Sequence, residues 1–558
     1  MSNLRPVLFI ALAFCAFLLW TEWNKDYGTP AVPAAAPSDT PASAAASAAA
    51  DAADVPSASA AAAATPAAIP AANVPDEHGD SVVVETDVLR LVFDTRGATL
   101  REAELKHYPV APKSPDRVRL LHDDPSGLFV AQSGLVASVG SAPDHRATFT
   151  SAAGSYVLAD GSDTLDVPFT WTDGAGVTVT KTYRLRRGDY TIVVDDQVRN
   201  DGGTEWRGAA YRQLQRTPPV VATKWSFTNP EAYSFVGVAW YSPEERFEKL
   251  KFDKFAAEPL TRTITGGWAA VLQHYFFAAW IPPADEAGAY QTQIVAGTTP
   301  RYLIREVAPS RSVTPGQATT FASRLYVGPK LQGSLDSIAP GLEATIDYGL
   351  VTTISKPLFA LLKFLHGLVG NWGWAIVLIT ILVKLALYPL SEAQYRSMAK
   401  MRKMQPRMQA LKERYGDDRQ KLNQAMMELY QKEKINPMGG CLPILVQMPI
   451  FIALYWVLLE SVELRQAPWI LWIDNLSAKD PYFVLPVLNG IAMFLGQKLS
   501  PATGMDPMQQ KMMQMMPIVF SVMFAFFPAG LVLYWTVNGT LSLLQQYVIT
   551  RRIDRAKT

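Results

Sequence analysis

The sequence predicts a polytopic α-helical membrane protein with six spans and a large antiparallel β-sandwich held outside the cytoplasm. Three observations carry that fold class. Long apolar stretches crowd the last third of the chain, residues 81–335 alternate apolar and polar side chains with period two, and Lys and Arg cluster beside certain apolar stretches and so assign them a side.

Composition narrows the function. The chain has 558 residues, enough for several domains, and 49% of them are hydrophobic; a mean hydropathy of +0.07 is high for a soluble enzyme. A net charge of +1 argues against a globally basic nucleic-acid binder, so no specific DNA binding is expected. Cys15 and Cys441 are the only cysteines, which leaves no disulfide framework and no metal-ligand cluster.

Residues 1–23 hold the first apolar run, PVLFIALAFCAFLLWTEW after Arg5, with Trp20 and Trp23 suited to a membrane interface. A retained anchor is favoured over a cleaved signal peptide, and bulky Phe14 ahead of Cys15 argues against lipidation. Residues 24–80 are mostly Ala, Pro, Ser, Thr and Asp, a disordered tether that buries too little apolar surface to offset the entropy of ordering. From Ser81, runs such as SVVVETDVLRLVFD and YTIVVDDQVRN, separated by Gly and Asp turns, describe the sandwich. Its histidines (His78, His107, His122, His145 and His274) show no metal spacing, and no Ser-His-Asp or phosphate-binding motif accompanies them. A binding or spacer role is expected there.

A connection over 336–370 includes SKPLFALLKFLHGLVG, which fits a helix on the membrane surface with Lys363 and His366 towards the headgroups, or the start of the next span. The second span, 371–390, carries Lys384 inside an apolar run, with Thr380 four residues before it and Tyr388 four after, all on one helical face. A lysine near mid-helix is disfavoured by roughly 2.5 to 3.5 kcal/mol on insertion scales, so it should face protein, water or headgroups. Snorkelling of its stem past Pro389 is the plain alternative. Residues 391–437 return to a soluble pattern: Met401, Met404, Met408, Leu411 and Tyr415, then Leu422, Met426 and Leu429, form the seam of a helical hairpin turning at Gly416–Asp417. Arg396, Lys400, Arg402, Lys403 and Arg407 make its flank basic and cytoplasmic, suited to anionic headgroups, ribosomal RNA or a targeting receptor.

Four further spans occupy 438–549, and a basic tail, 550–558, places both termini in the cytoplasm. Polar residues recur inside them: Gln447, Asn489, Ser521 and, on one face of the last, Tyr534, Asn538 and Gln545 with Leu541, while Trp535, Thr536 and Ser542 lie nearby. Each singly reads as helix–helix glue. Together with Lys384 they exceed what mutual pairing needs, and a wetted groove accounts for the surplus.

The stretches YRSMAKM, GDDRQ, INPMGGCLPILVQMPIF, SVELRQAPW, LSAKDPY, DPMQQK and PAGLVLYWTVN closely resemble the YidC/Oxa/Alb family of membrane protein insertases, from about residue 350 to the C-terminus. The anchor and large outer domain resemble its Gram-negative form. The resemblance implies a five-helix core around a hydrophilic groove open to cytoplasm and lipid, a cytoplasmic hairpin, and a periplasmic domain like the sugar-binding supersandwiches. It implies an insertase or chaperone and not an enzyme, without cofactor or metal. Its partners would be nascent membrane proteins, lipids, the Sec translocon, and a ribosome or targeting receptor. In such a groove Lys384 would attract acidic or polar client tails, Thr380, Gln447, Asn489, Ser521 and Asn538 would hydrate them, and Trp535 would border the path. The family usually has Arg where this chain has Lys384, so the planar bidentate fork is dispensable here. A secondary transporter would show internal repeats, and an anchored carbohydrate enzyme would not explain five C-terminal spans.

Overall fold

A computed structural model describes residues 55–56, 78–124, 127–219, 234–297, 299–415, 418–432, 442–499 and 507–555. The N-terminal anchor, nearly all of the linker, both cysteines, the turn at Gly416–Asp417 and the end of the hairpin at Asn436–Pro437 lie outside the described residues.

Among the described residues, strands between Ser81 and Pro329 pair into an 11-stranded and a 9-stranded sheet. Period-two burial marks the inward face of several strands, while others, such as Trp268–Leu272 and Phe276–Ile281, are buried on both faces. Along Val177–Arg186, Val177, Val179, Tyr183 and Leu185 are buried, while the intervening Thr178, Thr180, Thr182 and Arg184 are less so. The central strands are long and in strict register, as in Thr191–Asn200, where Thr191 lies opposite Tyr326 and Asn200 opposite Gln317. One pairing departs from the expected antiparallel pattern, because Val83–Glu85 lies parallel to Ser155–Val157. Trp206 and Trp280 fill the space between the sheets, Trp280 donating to Gln213 O of the other sheet, whereas Trp268 lies on the opposite face of its sheet from Trp280 and donates to Pro340 O; each is under 2% exposed.

Two buried cations also cross that space, where an unpaired charge would cost several kcal/mol. Lys181 donates to Gly97 O (3.1 Å), Ser133 O (2.9 Å) and Ser133 Oγ (3.0 Å), and Asp196 lies 3.9 Å away. Arg212 donates to Glu286 (3.0 Å), Glu306 (2.7 Å) and, in the opposite sheet, Ala322 O (3.0 Å). Both are structural staples.

Beyond Pro329 the described residues make one helical turn, Leu335–Ile338, and then nine α-helices: α1 Thr352–Val369, α2 Trp372–Ala386, α3 Tyr388–Lys403, α4 Gln405–Tyr415, α5 Arg419–Lys432, α6 Leu442–Glu460, α7 Val484–Leu499, α8 Pro507–Phe524 and α9 Ala529–Arg555. Helix α1 buries Ser355, Phe359, Leu362 and Leu365 on one face and leaves Phe364 and Leu368 exposed on another. Its Lys363 donates to Gln332 O (3.3 Å) and its His366 stacks on Trp372 at 4.0 Å, so these residues contact protein. Gly370, at φ 65°, ends α1 in the left-handed region, and the Asn371 side chain caps α2 by accepting from Trp374 N.

The expected face of Thr380, Lys384 and Tyr388 breaks after Lys384. Helix α2 ends at Ala386, the backbone bends by 64°, and Tyr388 opens α3. Pro389 explains the break, since it has no N–H for the carbonyl of Leu385 and its ring clashes there. No single helix among the described residues is long and apolar enough to cross a membrane; α2 and α3 pass that test together, as a bent pair. In the hairpin, Met404 and Met408 are buried with Met401, Met426, Leu429 and Tyr430 packed against them. This is the methionine seam, formed by the end of α3, the break at Met404, α4 and α5.

The sandwich rests on the segment that follows α6. Gln332 donates through its N–H to Glu463 (2.9 Å) and through its side chain to Ser461 (2.7 Å), while Arg465 donates to Pro109 O (2.9 Å) and lies over Phe276. Deeper in the joint His274 lies 3.5 Å from Glu460, and Lys330 is 4% exposed. Burial pushes the Lys330 ammonium down to about 8, against the attraction of Glu460 and Asp347 and with the repulsion of Lys249. An unfolded chain therefore holds this proton more tightly between about pH 8 and 10.5, and native stability should rise with pH across that window. Lys330→Met removes the rise, so in thermal unfolding the variant should compare best with the parent near pH 7, and that advantage should shrink by pH 10. The full swing is roughly 3 kcal/mol. A difference independent of pH would place Lys330 in water.

Candidate functional site

Helix α9 packs against α7, α2, α3 and α6, so polar side chains placed on it can meet partners from several helices. Within apolar surroundings each such group must find a partner or carry a desolvation cost of about 1 to 3 kcal/mol. That requirement organises the site. Lys384, in the last turn of α2 and 7% exposed, donates from Nζ to Ser542 Oγ at 2.7 Å. Ser542 Oγ donates in turn to the carbonyl of Asn538, one turn earlier on α9, also at 2.7 Å. The Asn538 side-chain oxygen accepts from Gln447 Nε2 of α6 at 2.7 Å, and the same amide reaches Tyr534 OH at 3.5 Å. From the other side of the bend, Tyr395 OH of α3 donates to the carbonyl of Ser542 at 3.1 Å. One continuous polar line thus joins α2, α3, α6 and α9.

The other candidate residues lie off that line. Thr380 is 1% exposed and donates to its own helix at Ile376 O, 2.6 Å away. Ser521 donates to Pro486 O at 2.8 Å and ties α8 to α7; Gly490 permits the approach, for a Cβ there would lie 2.9 Å from Ser521 Oγ. Asn489 is fully buried on α7, its amide 3.7 Å from Met493 Sδ and its oxygen without a hydrogen-bond partner. A Cβ on Gly539 of α9 would come within 3.7 Å of that oxygen. Trp535 lies on α9 next to Tyr534. Its ring packs on Phe451 (4.8 Å) and Phe524 (5.4 Å), and its Nε1 is buried without an acceptor, so the indole N–H does not reach the surface.

Of the basic hairpin residues, Arg396 is paired with Glu392 one turn back (2.5 Å), and Lys400 and Arg407 are exposed. The side chains of Arg402 and Lys403, at the end of α3, lie outside the described set. Sequence reasoning placed Ser542 only near the polar face of the last span and gave Tyr395 no role. The detectable signal was the recurrence of polar residues at 534, 538 and 542, four apart on one helix.

Two protein families match this chain: the 60Kd inner membrane protein family over residues 364–556 and the YidC periplasmic domain over residues 81–361. The membrane protein insertase YidC of Thioalkalivibrio sulfidiphilus is 49% identical over 564 residues, covering 100% of this chain and 99% of that protein. The corresponding protein of Methylococcus capsulatus is 48% identical over 557 residues, with the same coverage. A crystal structure of an active YidC insertase with its first transmembrane domain resolved aligns over 84% of this chain and 93% of its own, at 19% identity and a TM-score of 0.38. Matched along its whole length by relatives of one kind, the chain belongs to the YidC family of membrane protein insertases, proteins of the bacterial inner membrane.

Proposed function

We propose that this chain receives hydrophobic segments of nascent proteins at the cytoplasmic face and releases them sideways into lipid, alone or with the Sec translocon. Residues 371–390, which are α2 and the first residues of α3, and helices α6, α7, α8 and α9 are the spans of the core, residues 1–23 supply a sixth, the rest of α3 with α4 and α5 is the cytoplasmic hairpin, both termini are cytoplasmic, and the sandwich is periplasmic. Basic residues of α3 to α5 and Arg551, Arg552 and Arg555 at the end of α9 support that orientation. The observation that carries the reading is the polar line from Lys384 through Ser542 and Asn538 to Gln447, set between helices that are otherwise apolar.

Moving a client's polar tail through hydrocarbon is unfavourable by several kcal/mol for each unsatisfied group. A line of donors and acceptors partway into the bilayer shortens the unfavourable path, and burial of the client's apolar helix in lipid drives the step without a nucleotide. In this reading Lys384 and Asn538 meet the tail directly, Gln447 orients Asn538, and Asn489, Ser521 and Thr380 hold the surrounding helices. The aromatic group of Trp535, Phe451 and Phe524 forms an apolar wall. The basic hairpin offers a surface for a ribosome, a targeting receptor or anionic lipid.

Crosslinking a stalled nascent chain to successive positions of α9 tests the path: adducts should favour the face of Asn538 and Ser542, and uniform labelling around the helix would contradict it. Lys384→Arg should be nearly silent. Lys384→Ala should slow insertion of clients with acidic translocated tails by about tenfold, the weight of one hydrogen bond to a charged group, and neutral clients much less. Equal losses would leave hydration and not charge as the role of Lys384. Shortening the hairpin symmetrically about Gly416 should slow ribosome-delivered clients and spare small, spontaneously targeted ones. Equal failure of both classes would make the hairpin structural.

A further inference from the structure

We infer that Ser542 is the positioning residue for Lys384, keeping its ammonium inside the helix bundle. Lys384 lies two residues from the end of α2, so its four-carbon stem has the length to carry the charge out to the headgroups, which is the favoured course for a lysine near a helix end. The structure shows the opposite. Lys384 is 7% exposed as a residue, and its ammonium is turned inward to α9, with Ser542 Oγ at 2.7 Å.

The hydroxyl suits this task because its single proton is already committed. It donates to Asn538 O at 2.7 Å, which leaves the oxygen lone pairs to face the lysine. The backbone under it is fixed as well, since Tyr395 OH donates to the Ser542 carbonyl at 3.1 Å. Lys384 precedes the 64° bend and Tyr395 follows it, so one residue of α9 is gripped from both sides of the break. An ammonium has three N–H donors; with one on Ser542, the others can serve a carboxylate or carbonyl of the client. This inference rests on Lys384 being the cation that meets the client's polar tail.

The test reads the position of the amine and the insertion activity separately. In the full chain in inner-membrane vesicles, Lys384 is acylated by a water-soluble, membrane-impermeant amine reagent added at the cytoplasmic face and quantified by peptide mapping. Ser542→Ala should raise Lys384 acylation by about tenfold, the weight of one hydrogen bond to a charged group. Ser542→Thr, which keeps the hydroxyl, should match the parent. Tyr395→Phe should move acylation in the same direction by a smaller factor, and it supplies an independent reading if Ser542→Ala folds poorly. For clients with acidic tails, Ser542→Ala should approach Lys384→Ala, and the double variant should be no worse than Lys384→Ala alone. Acylation unchanged in both Ser542→Ala and Tyr395→Phe, or additive losses in the double variant, would overturn the inference. Charge-independent losses in Lys384→Ala would overturn the role of the cation instead, and acylation would still decide what Ser542 does.

Discussion

A lysine placed among apolar helices must have an acceptor for its ammonium, and meeting that demand fixes how the helices of this protein come together. Lys384 finds its acceptor in Ser542, 158 residues further along the chain, so α2 must pack against α9 at that height. The same serine binds the carbonyl of Asn538, and Asn538 binds Gln447 of α6, which brings a third helix into register. Tyr395 then sets where α3 crosses after the bend. Apolar packing alone would tolerate sliding among these helices; directional hydrogen bonds in a low-dielectric setting do not. Under the proposed function, the arrangement that specifies the bundle is also the one that would offer polar groups to a client.

The sandwich meets a comparable constraint by different means. It closes its core with buried tryptophans and with the Lys181 and Arg212 staples, each of which satisfies a buried charge by reaching into the opposite sheet. Its contact with the helices is polar at the centre, where Gln332, Glu463, Ser461, His274 and Glu460 converge, and the outer pair of Lys113 and Asp474 is exposed and adds little. A domain seated this way on the segment after α6 holds the far ends of α6 and α2 in place, because Asn371 also donates to the carbonyl of Trp469 and Gly373 lies against that tryptophan's ring. The joint and the polar line therefore sit at opposite ends of α6.

Much of this was legible from residue patterns because the patterns are local. Period-two burial announces a strand such as Val177–Arg186, and methionines at spacings of three and four announce the seam around Met404 and Met408. A cation in an apolar run draws attention to Lys384 for energetic reasons that need no structure. What escaped the sequence is non-local. Strand order is an example: Trp206–Arg216 lies between Gly127–Val139 and Arg301–Val307, which no spacing announces. Tyr388 looked aligned with Lys384 on an unbroken helix, and the geometry of Pro389 turned it away. Trp535 has an N–H that favours a wet edge, yet the neighbouring rings of Phe451 and Phe524 enclose it. Histidines that seemed scattered include His274, which faces Glu460 at the joint.

The central claim is that the line from Lys384 to Gln447 faces a path open to water from one side of the membrane. Single cysteines at 384, 535 and 538, in a background lacking Cys15 and Cys441, measure this with a membrane-impermeant thiol reagent applied to each face in turn. The account predicts that 384 and 538 react from the cytoplasmic side and not from the periplasmic side, while 535, enclosed by aromatic rings, reacts slowly from both. Position 538 resisting the reagent from both sides in a folded, active variant would contradict it, and Asn538 would then be a dry contact between helices.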